Sequence, residues 1–294
     1  MKDRKIEKCN SICGMLTLYY PHESFVVNIS TYIDYIDKLY IVDNTIDYSN
    51  KIHFELLNKY PKVEILSSGI NRGIAAALNL CIEVAKINQY AWMMTMDQDS
   101  YFDIDQAKRF INSLHLIDTT KVAVLSPSHS AVTVDKKKCE YEKKEIVMTS
   151  GNLLNISLTN DIGLFNEDLF IDGVDHDYCL RANILGFQIL QSINCFLHHE
   201  VGTLYSASLL FGFRKRMFHL HSPKRMYFIV RNSLYIDKQY RKAFPDLIKK
   251  QNKAVKAKIS KSLRYGNNKG QYVKYIVKAY IDYYFHKYGN KVNI

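Results

Sequence analysis

The stretch Trp92-Met93-Met94-Thr95-Met96-Asp97-Gln98-Asp99-Ser100 decides the fold. Five mostly apolar residues, the length of a strand, stop at two carboxylates set two positions apart. A run this short and apolar reads as a strand buried on both faces, the habit of parallel sheets. Four more runs share the pattern: Gly14 to Tyr19, Leu39 to Val42, Val63 to Leu66 and Val122 to Leu125. Between them, Phe25 to Ile36, Ile52 to Leu57, Ile74 to Ile87 and Ala107 to Leu114 place apolar residues at three- and four-residue intervals, the period of a helix. The alternation predicts an α/β fold with a mainly parallel sheet and helices on both faces. In such sheets ligands bind beyond the carboxyl ends of the strands.

Those ends are polar. The first strand runs into Tyr19-Tyr20-Pro21, the second into Asp43-Asn44, the third into Ser67-Ser68-Gly69 and then Asn71-Arg72-Gly73, and the fourth into Asp97-Gln98-Asp99. On an extended exit Asp97 and Asp99 point the same way, and hard oxygen ligands suit Mg²⁺ or Mn²⁺. The plain alternative is a turn or helix cap. Asn71 and Arg72 precede a helix, where backbone N–H groups and a guanidinium face an anion, or where Asn71 caps the helix. Asp43 either accepts from a pyrimidine base or forms a turn with Asn44.

Further along, Ile146 to Asn155 reads as a strand interrupted by Ser150-Gly151, where a ligand or backbone approaches closely. Asp135 to Glu145 is a charged insertion without readable chemistry. Asp175 caps a short helix running to Leu185, and Phe187 to Leu190 and Ile193 to Leu197 read as two strands. A carboxylate in Asp175-His176-Asp177 can remove a proton from an incoming hydroxyl; alternatively the cluster only pairs with Arg181 one turn on. His199 is a third metal ligand or a satisfied core histidine, and His198 points the other way. His219 and His221 read as structural.

The chain has 47% hydrophobic and 23% charged residues with 5 Pro and 12 Gly, which excludes a disordered, collagen-like or linker-rich protein. Its net charge of +11 is uneven: from Arg214 onward 21 Lys and Arg face three acids, a balance of +18, leaving −7 before it. The sequence therefore divides into residues 1–213, acidic and catalytic, and 214–294, a basic, mainly helical extension. That extension either packs, forms a homodimer contact or rests on an anionic membrane surface. Its stripe is Val273, Ile276, Val277, Tyr280, Ile281 and Tyr284. The six cysteines show no paired zinc-type spacing and read as buried or reduced thiols. Met1 to Lys8 makes a poor signal peptide, and no segment offers the ~20 apolar residues of a membrane span. A cytoplasmic protein is expected, peripheral on the inner face of the cell membrane if the basic extension seats there.

Taken in order, Tyr19-Tyr20-Pro21, Ile41-Val42-Asp43-Asn44, Asn71-Arg72-Gly73-Ile74-Ala75, Ala77-Leu78-Asn79, Met96-Asp97-Gln98-Asp99-Ser100, Ser150-Gly151, Phe170 to Asp175 with Asp177 and Arg181, His199-Glu200-Val201-Gly202, and Tyr227 with Arg231-Asn232 form one set. It resembles the inverting family 2 glycosyltransferases of the GT-A fold, a Rossmann-like architecture, and especially the bacterial rhamnosyltransferase-like branch. The resemblance covers roughly residues 12–235. It implies that Tyr19 and Asp43 line a base pocket, and that Asn71 and Arg72 lie near the nucleotide's sugar and diphosphate. It further implies that Asp97 contacts nucleotide or metal, that Gly151 belongs to the donor pocket, and that Asp99 is the principal metal ligand with His199 second. Asp175 matches the family's base and Arg181 orients the acidic cluster. Val174 stands where many relatives have Glu, and Tyr20 where Asn is usual.

The implied activity is metal-dependent, inverting transfer of a sugar from a dTDP- or UDP-sugar donor. L-rhamnose from dTDP-rhamnose is the first expectation and a UDP-hexose the second. The acceptor is a hydroxyl of a cell-surface polysaccharide (capsule or O-antigen) or a lipid-linked glycan. A sugar-phosphate nucleotidyltransferase would want glycine and basic residues after the first strand, and Tyr19-Tyr20-Pro21-His22-Glu23 has neither. Nucleic acid is not an expected partner, because the acidic part opposes a polyanion.

Overall fold

A computed structural model describes residues 11–46, 58, 60–67, 69–129, 139–199, 204–209 and 214–292. The Ile52 to Leu57 helix expected above lies outside the described residues, as do residues 135–138 of the charged insertion. Chain contacts divide the molecule into two compact units, 1–166 with 175–199 and 167–174 with 200–294.

The first unit is built on one sheet. Its strands are β1 (Ile12–Leu18), β2 (Lys38–Asp43), β3 (Val63–Ser67), β4 (Trp92–Asp97), β6 (Val122–Ser128), β7 (Tyr141–Lys143), β8 (Asn152–Asn155) and β9 (Gln188–Phe196); the two-residue strands β5 (Ser100–Tyr101) and β10 (His198–His199) pair beside it. The order is β3-β2-β1-β4-β8-β6-β9-β7. β3, β2, β1 and β4 run parallel, as do β6 and β9, while β8 is antiparallel to β4 and β6. All seven residues of β1 are buried, as a strand covered on both faces requires. The parallel register sets Leu18 beside Asp43 and Thr17 beside Asp97, so the polar ends of β1, β2 and β4 reach one rim together.

Helices α1 (Phe25–Ser30), α2 (Gly73–Ile87), α3 (Gln106–Asn112), α4 (Thr159–Ile162) and α5 (Val174–Ile184) complete this unit. The core packs Phe25, Ile29 and Ile33 with Leu16, Leu18, Met94, Met96 and Phe110. The helix expected over Phe25 to Ile36 breaks after Ser30 into a 3-10 turn, Ile33–Tyr35. There the hydroxyls of Ser30 and Thr31 donate to the carbonyls of Val27 and Asn28, competing with the next helical turn. Ile146 to Asn155 is strand only from Asn152, and the two strands expected between Phe187 and Leu197 are one, β9. Buried Ser192 carries β9 through its polar middle by accepting from the backbone of Asn194 and Cys195. The reduced-thiol expectation is corrected at one pair: Cys139 and Cys195 form a disulfide with Cα atoms 6.0 Å apart. Cys13, Cys81 and Cys179 are free and buried.

In the second unit β11 (Leu204–Leu209) and β12 (Arg214–His219) pair antiparallel, followed by α6 (Pro223–Tyr240), α7 (Pro245–Tyr265) and α8 (Lys269–Tyr284). Ser222 caps α6 by accepting from Arg225 N, with Pro223 in the first turn. Met226, Tyr227, Phe228 and Val230 of α6 pack with Tyr272 and Ala279 of α8. The sequence stripe of α8 is largely its outer face: Val273, Val277, Tyr280, Ile281 and Tyr284 are 48–77% exposed. Tyr280, Ile281, Tyr284 and Phe285 line an open apolar cleft of about 440 Å³ with Leu234 and Tyr283. Among the described residues no helix is long and apolar enough to cross a membrane.

Candidate active site

At the rim of β4, Asp97, Asp99 and His199 each present a ligand atom, all within 4.8 Å of one another. His199 arrives on β10, which pairs with β5 so that His199 faces Ser100. Its Nδ1 lies 2.8 Å from Ser100 Oγ, 3.3 Å from Asp99 Oδ1 and 4.0 Å from Asp97 Oδ2. Ser150 Oγ accepts from Asp97 N at 3.1 Å and donates to Ser100 Oγ at 2.8 Å, tying the β4 exit to the turn before β8. Gly151 in that turn has φ +80, and a Cβ there would meet Pro127 Cγ and Leu197 Cδ2 at 2.7 Å, so only glycine fits. Asp99 Oδ1 is buried and makes no hydrogen bond despite the nearby imidazole. A carboxylate oxygen in that condition is costly unless a cation takes it. Two carboxylates and one imidazole fit Mg²⁺ or Mn²⁺ with positions left over for phosphate oxygens.

Asp175 stands on the first turn of α5 and lines a small enclosed space of about 10 Å³ with Thr95, Thr149, Asn152, Tyr178 and Cys179. Thr95 precedes Asp97 by two residues on β4 and Thr149 adjoins Ser150, while Val124 and Leu154 of the sheet and Phe165 complete the lining. Asp175 Oδ1 accepts from the N–H of His176 at 2.9 Å. Burial pushes the Cys179 thiol up to about 12, so the sulfur beside Asp175 stays protonated and inert. Arg181 is spent inside the protein: it donates to Asp177 Oδ2 at 2.9 Å and to the carbonyls of Ile162 and Leu164 at 2.6 and 2.8 Å. It braces the acidic turn through Asp177, which is 1% exposed on its side chain.

The backbone running into Asp175 is strained. Phe170, Asp172 and Gly173 have φ of +64, +63 and +87. For two residues with a side chain this left-handed geometry costs roughly 1–2 kcal/mol each. Within the second unit, Asn232 Nδ2 donates to the carbonyls of Leu169, Ile171 and Asp172 at 2.7–2.8 Å, and Arg225 grips the Asp172 carboxylate.

On the other flank, the first loop is clamped by Gln98. Its Oε1 accepts from Tyr19 N at 2.8 Å and its Nε2 donates to Tyr19 O at 3.2 Å. Tyr19 is 37% exposed and Tyr20 has φ +43. Asp43 is buried, with Thr45 N donating to its Oδ1 at 2.8 Å, the turn-forming arrangement. Asn71 Oδ1 accepts from Gly73 N at 3.0 Å, the capping alternative, while Arg72 is exposed and its N–H donates to Asn44 Oδ1. Asn44 thus joins the end of β2 to the start of α2.

The model of glycosyl transferase family 2 matches residues 26–168, the span that holds β2, β3, β4 and the Asp97-Gln98-Asp99 exit. Over that span the chain is similar to members of that family. The dTDP-rhamnosyl transferase RfbF of Shigella flexneri is 25% identical over 220 residues, 67% of this chain and 69% of that protein. GalNAc-T7, solved with UDP, GalNAc and Mn²⁺, aligns with a TM-score of 0.58 at 11% identity over 94% of this chain; the chain spans 58% of that structure. The mannosyltransferase PcManGT of Pyrobaculum calidifontis, solved with GDP-Man and Mn²⁺, aligns at 0.56 and 12% identity, covering 94% of this chain and 87% of its own. The sheet is that of the GT-A glycosyltransferases.

Two groups at this rim escaped the sequence reading. Gln98, between the two carboxylates, acts through its clamp on Tyr19, and an amide in that place carries no signal by spacing. His129, one residue past β6, has both ring nitrogens buried without a hydrogen-bond partner, and its ring lies 6.3 Å from that of His199. Burial, with the charge of His199 second, pushes His129 down to about 4, so it is neutral near pH 7. His198, by contrast, pairs with Asp103 at 2.8 Å and stacks on Tyr101, away from the ligand group.

Proposed function

We propose that the chain transfers L-rhamnose from dTDP-rhamnose to a hydroxyl of a cell-surface glycan, such as capsule or O-antigen, or of a lipid-linked glycan, with inversion at the anomeric carbon. The observation carrying this reading is the group of close ligand atoms of Asp97, Asp99 and His199 at the exit of β4, with Asp175 lining a space shared with Thr95 of the same strand. Similarity to the Shigella flexneri dTDP-rhamnosyl transferase supports the choice of donor. The donor lies across the rim with its base toward Tyr19 and Asp43 and its diphosphate toward Asn71, Arg72 and the ligand group.

A divalent cation held by Asp99, Asp97 and His199 supplies positive charge opposite the diphosphate. Asp175 Oδ accepts the proton of the acceptor hydroxyl as its oxygen attacks the anomeric carbon from the face opposite the leaving group. One displacement inverts that carbon, and no protein nucleophile is needed. Gly151 keeps the floor of the donor pocket low, Gln98 fixes the backbone of Tyr19, and Arg181 fixes the turn on which Asp175 stands through Asp177.

The acceptor's lipid would bring the enzyme to the inner face of the membrane. The exposed apolar stripe of α8, with Lys274 beside it and no exposed acid on the helix, supports that seat. A thermal-shift panel of dTDP-, UDP- and GDP-sugars with and without Mn²⁺ tests the donor. A metal-dependent shift confined to dTDP-rhamnose is the expected result. A shift confined to a UDP-hexose would replace rhamnose with a hexose.

A further inference from the structure

We infer that His129 is a contact for the donor's diphosphate, made through a ring N–H and distinct from the three metal ligands. The inference rests on reading this rim as a nucleotide-sugar site. A buried polar atom in a native protein is paired in the great majority of cases, and an exception calls for a reason. His129 is an exception twice over, since neither Nδ1 nor Nε2 has a hydrogen-bond partner. It sits where β6 ends at the rim, and its ring centroid is 6.3 Å from that of His199, tilted by 36°.

A neutral imidazole offers one N–H and one lone pair. Among the described residues no group uses either. The group of close ligand atoms consists of Asp97, Asp99 and His199 without it. A ring set back from that group reaches what fills the open positions of a cation, and in this enzyme class that is a phosphate oxygen. An N–H aimed at a diphosphate makes a charge-assisted hydrogen bond, stronger than one between neutral partners. The apo protein therefore carries an unpaired ring that the substrate satisfies.

Two variants test this: His129→Leu, apolar and of similar size, and His129→Gln, which keeps an N–H donor. Calorimetry measures dTDP binding with Mn²⁺ and Mn²⁺ binding alone, and melting measures the apo fold. His129→Leu should weaken dTDP binding by about tenfold or more. It should leave Mn²⁺ binding in the absence of nucleotide unchanged. Its apo Tm should equal the wild-type value or rise by about 2–4 °C, because an unpaired polar ring is gone. His129→Gln should stay within about threefold of wild type for dTDP. A lowered apo Tm with dTDP affinity intact would make the ring structural and overturn the inference. Loss of Mn²⁺ binding without nucleotide would make it a metal ligand and overturn it too. If the wild type binds no nucleoside diphosphate at all, the nucleotide-sugar reading falls and takes this contact with it.

Discussion

Two places in the molecule gather buried or half-buried charge, and they treat it in opposite ways. On α6, Arg231 is fully buried, yet its guanidinium donates to the carbonyls of Asp168, Leu169 and Gly289 and to Asn232 Oδ1, packed against the rings of Tyr227, Phe228 and Tyr288. At the rim of β4, Asp99 Oδ1 lies 3.3 Å from His199 Nδ1 without a hydrogen bond, and both nitrogens of His129 are buried with no hydrogen-bond partner among the described residues. A satisfied buried charge holds a fold together; an unsatisfied one waits for a ligand. The difference teaches which residues of the family motif serve chemistry and which serve architecture, since Arg231 and Asp99 belong to the same ordered set.

Substitutions at the two places should separate cleanly. The largest effect is expected for Asp175→Asn, which should lower the transfer rate by ~10² to 10⁴-fold while dTDP-sugar binding and Tm hold. Steady-state kinetics with calorimetry read both, and near-normal turnover would remove Asp175 as the base. Asp99→Asn should cost Mn²⁺-dependent dTDP binding about 10²-fold, with the apo Tm unchanged or higher. Arg231→Met should do the reverse. It strands the three carbonyls that Arg231 serves, so the fold should lose about 3 kcal/mol, or roughly 6–12 °C in Tm. Its donor affinity below the transition should stay close to wild type, and a Tm within 1–2 °C of wild type, on the same scale, would break the contrast.

Much of this was legible in the sequence. Apolar runs ending in Asp43, Ser67 and Asp97 pointed to the parallel strands and their polar rim, because short apolar runs alternating with helical periods are the pattern of a parallel sheet. The carboxylates at 97 and 99 were visible as a pair for the same reason. The rest depended on distance along the chain. His199 meets Asp99 only because β10 pairs with β5, and His129 reaches the same neighbourhood only because β6 lies two strands from β4. Cys139 and Cys195 meet through the pairing of β7 with β9, 56 residues apart in sequence. The stripe of α8 was legible as a stripe and no further. Its period is helical, but period does not say which face is covered, and the covered face holds Tyr272, Ala279 and Asp282.

Smaller effects sharpen the second unit. Burial opposes the ionised form of Asp282, but hydrogen bonds from Lys278 and Tyr227 outweigh it and hold the carboxyl below its usual value. Its contribution is therefore present above the unfolded carboxylate range near pH 4 and lost as pH falls through the lower folded value. Asp282→Asn should flatten the acid limb of a Tm-versus-pH curve below pH 4, and an unchanged limb would contradict the pairing. The smallest effect on stability should come from Tyr280→Ser with Tyr284→Ser, both exposed: about 0.5 kcal/mol or less. The same pair should abolish sedimentation with anionic vesicles at low salt. Retained sedimentation would turn the surface elsewhere.

The most direct measurement is a crystal structure of the chain grown with Mn²⁺ and dTDP, with anomalous difference density collected at the manganese edge. The account predicts one strong peak about 2.2 Å from oxygens of Asp99 and from His199, with the diphosphate on the cation and the carboxylate of Asp175 facing the space beyond it. A peak away from Asp99, or a diphosphate bound where Asp175 cannot face it, would contradict the account.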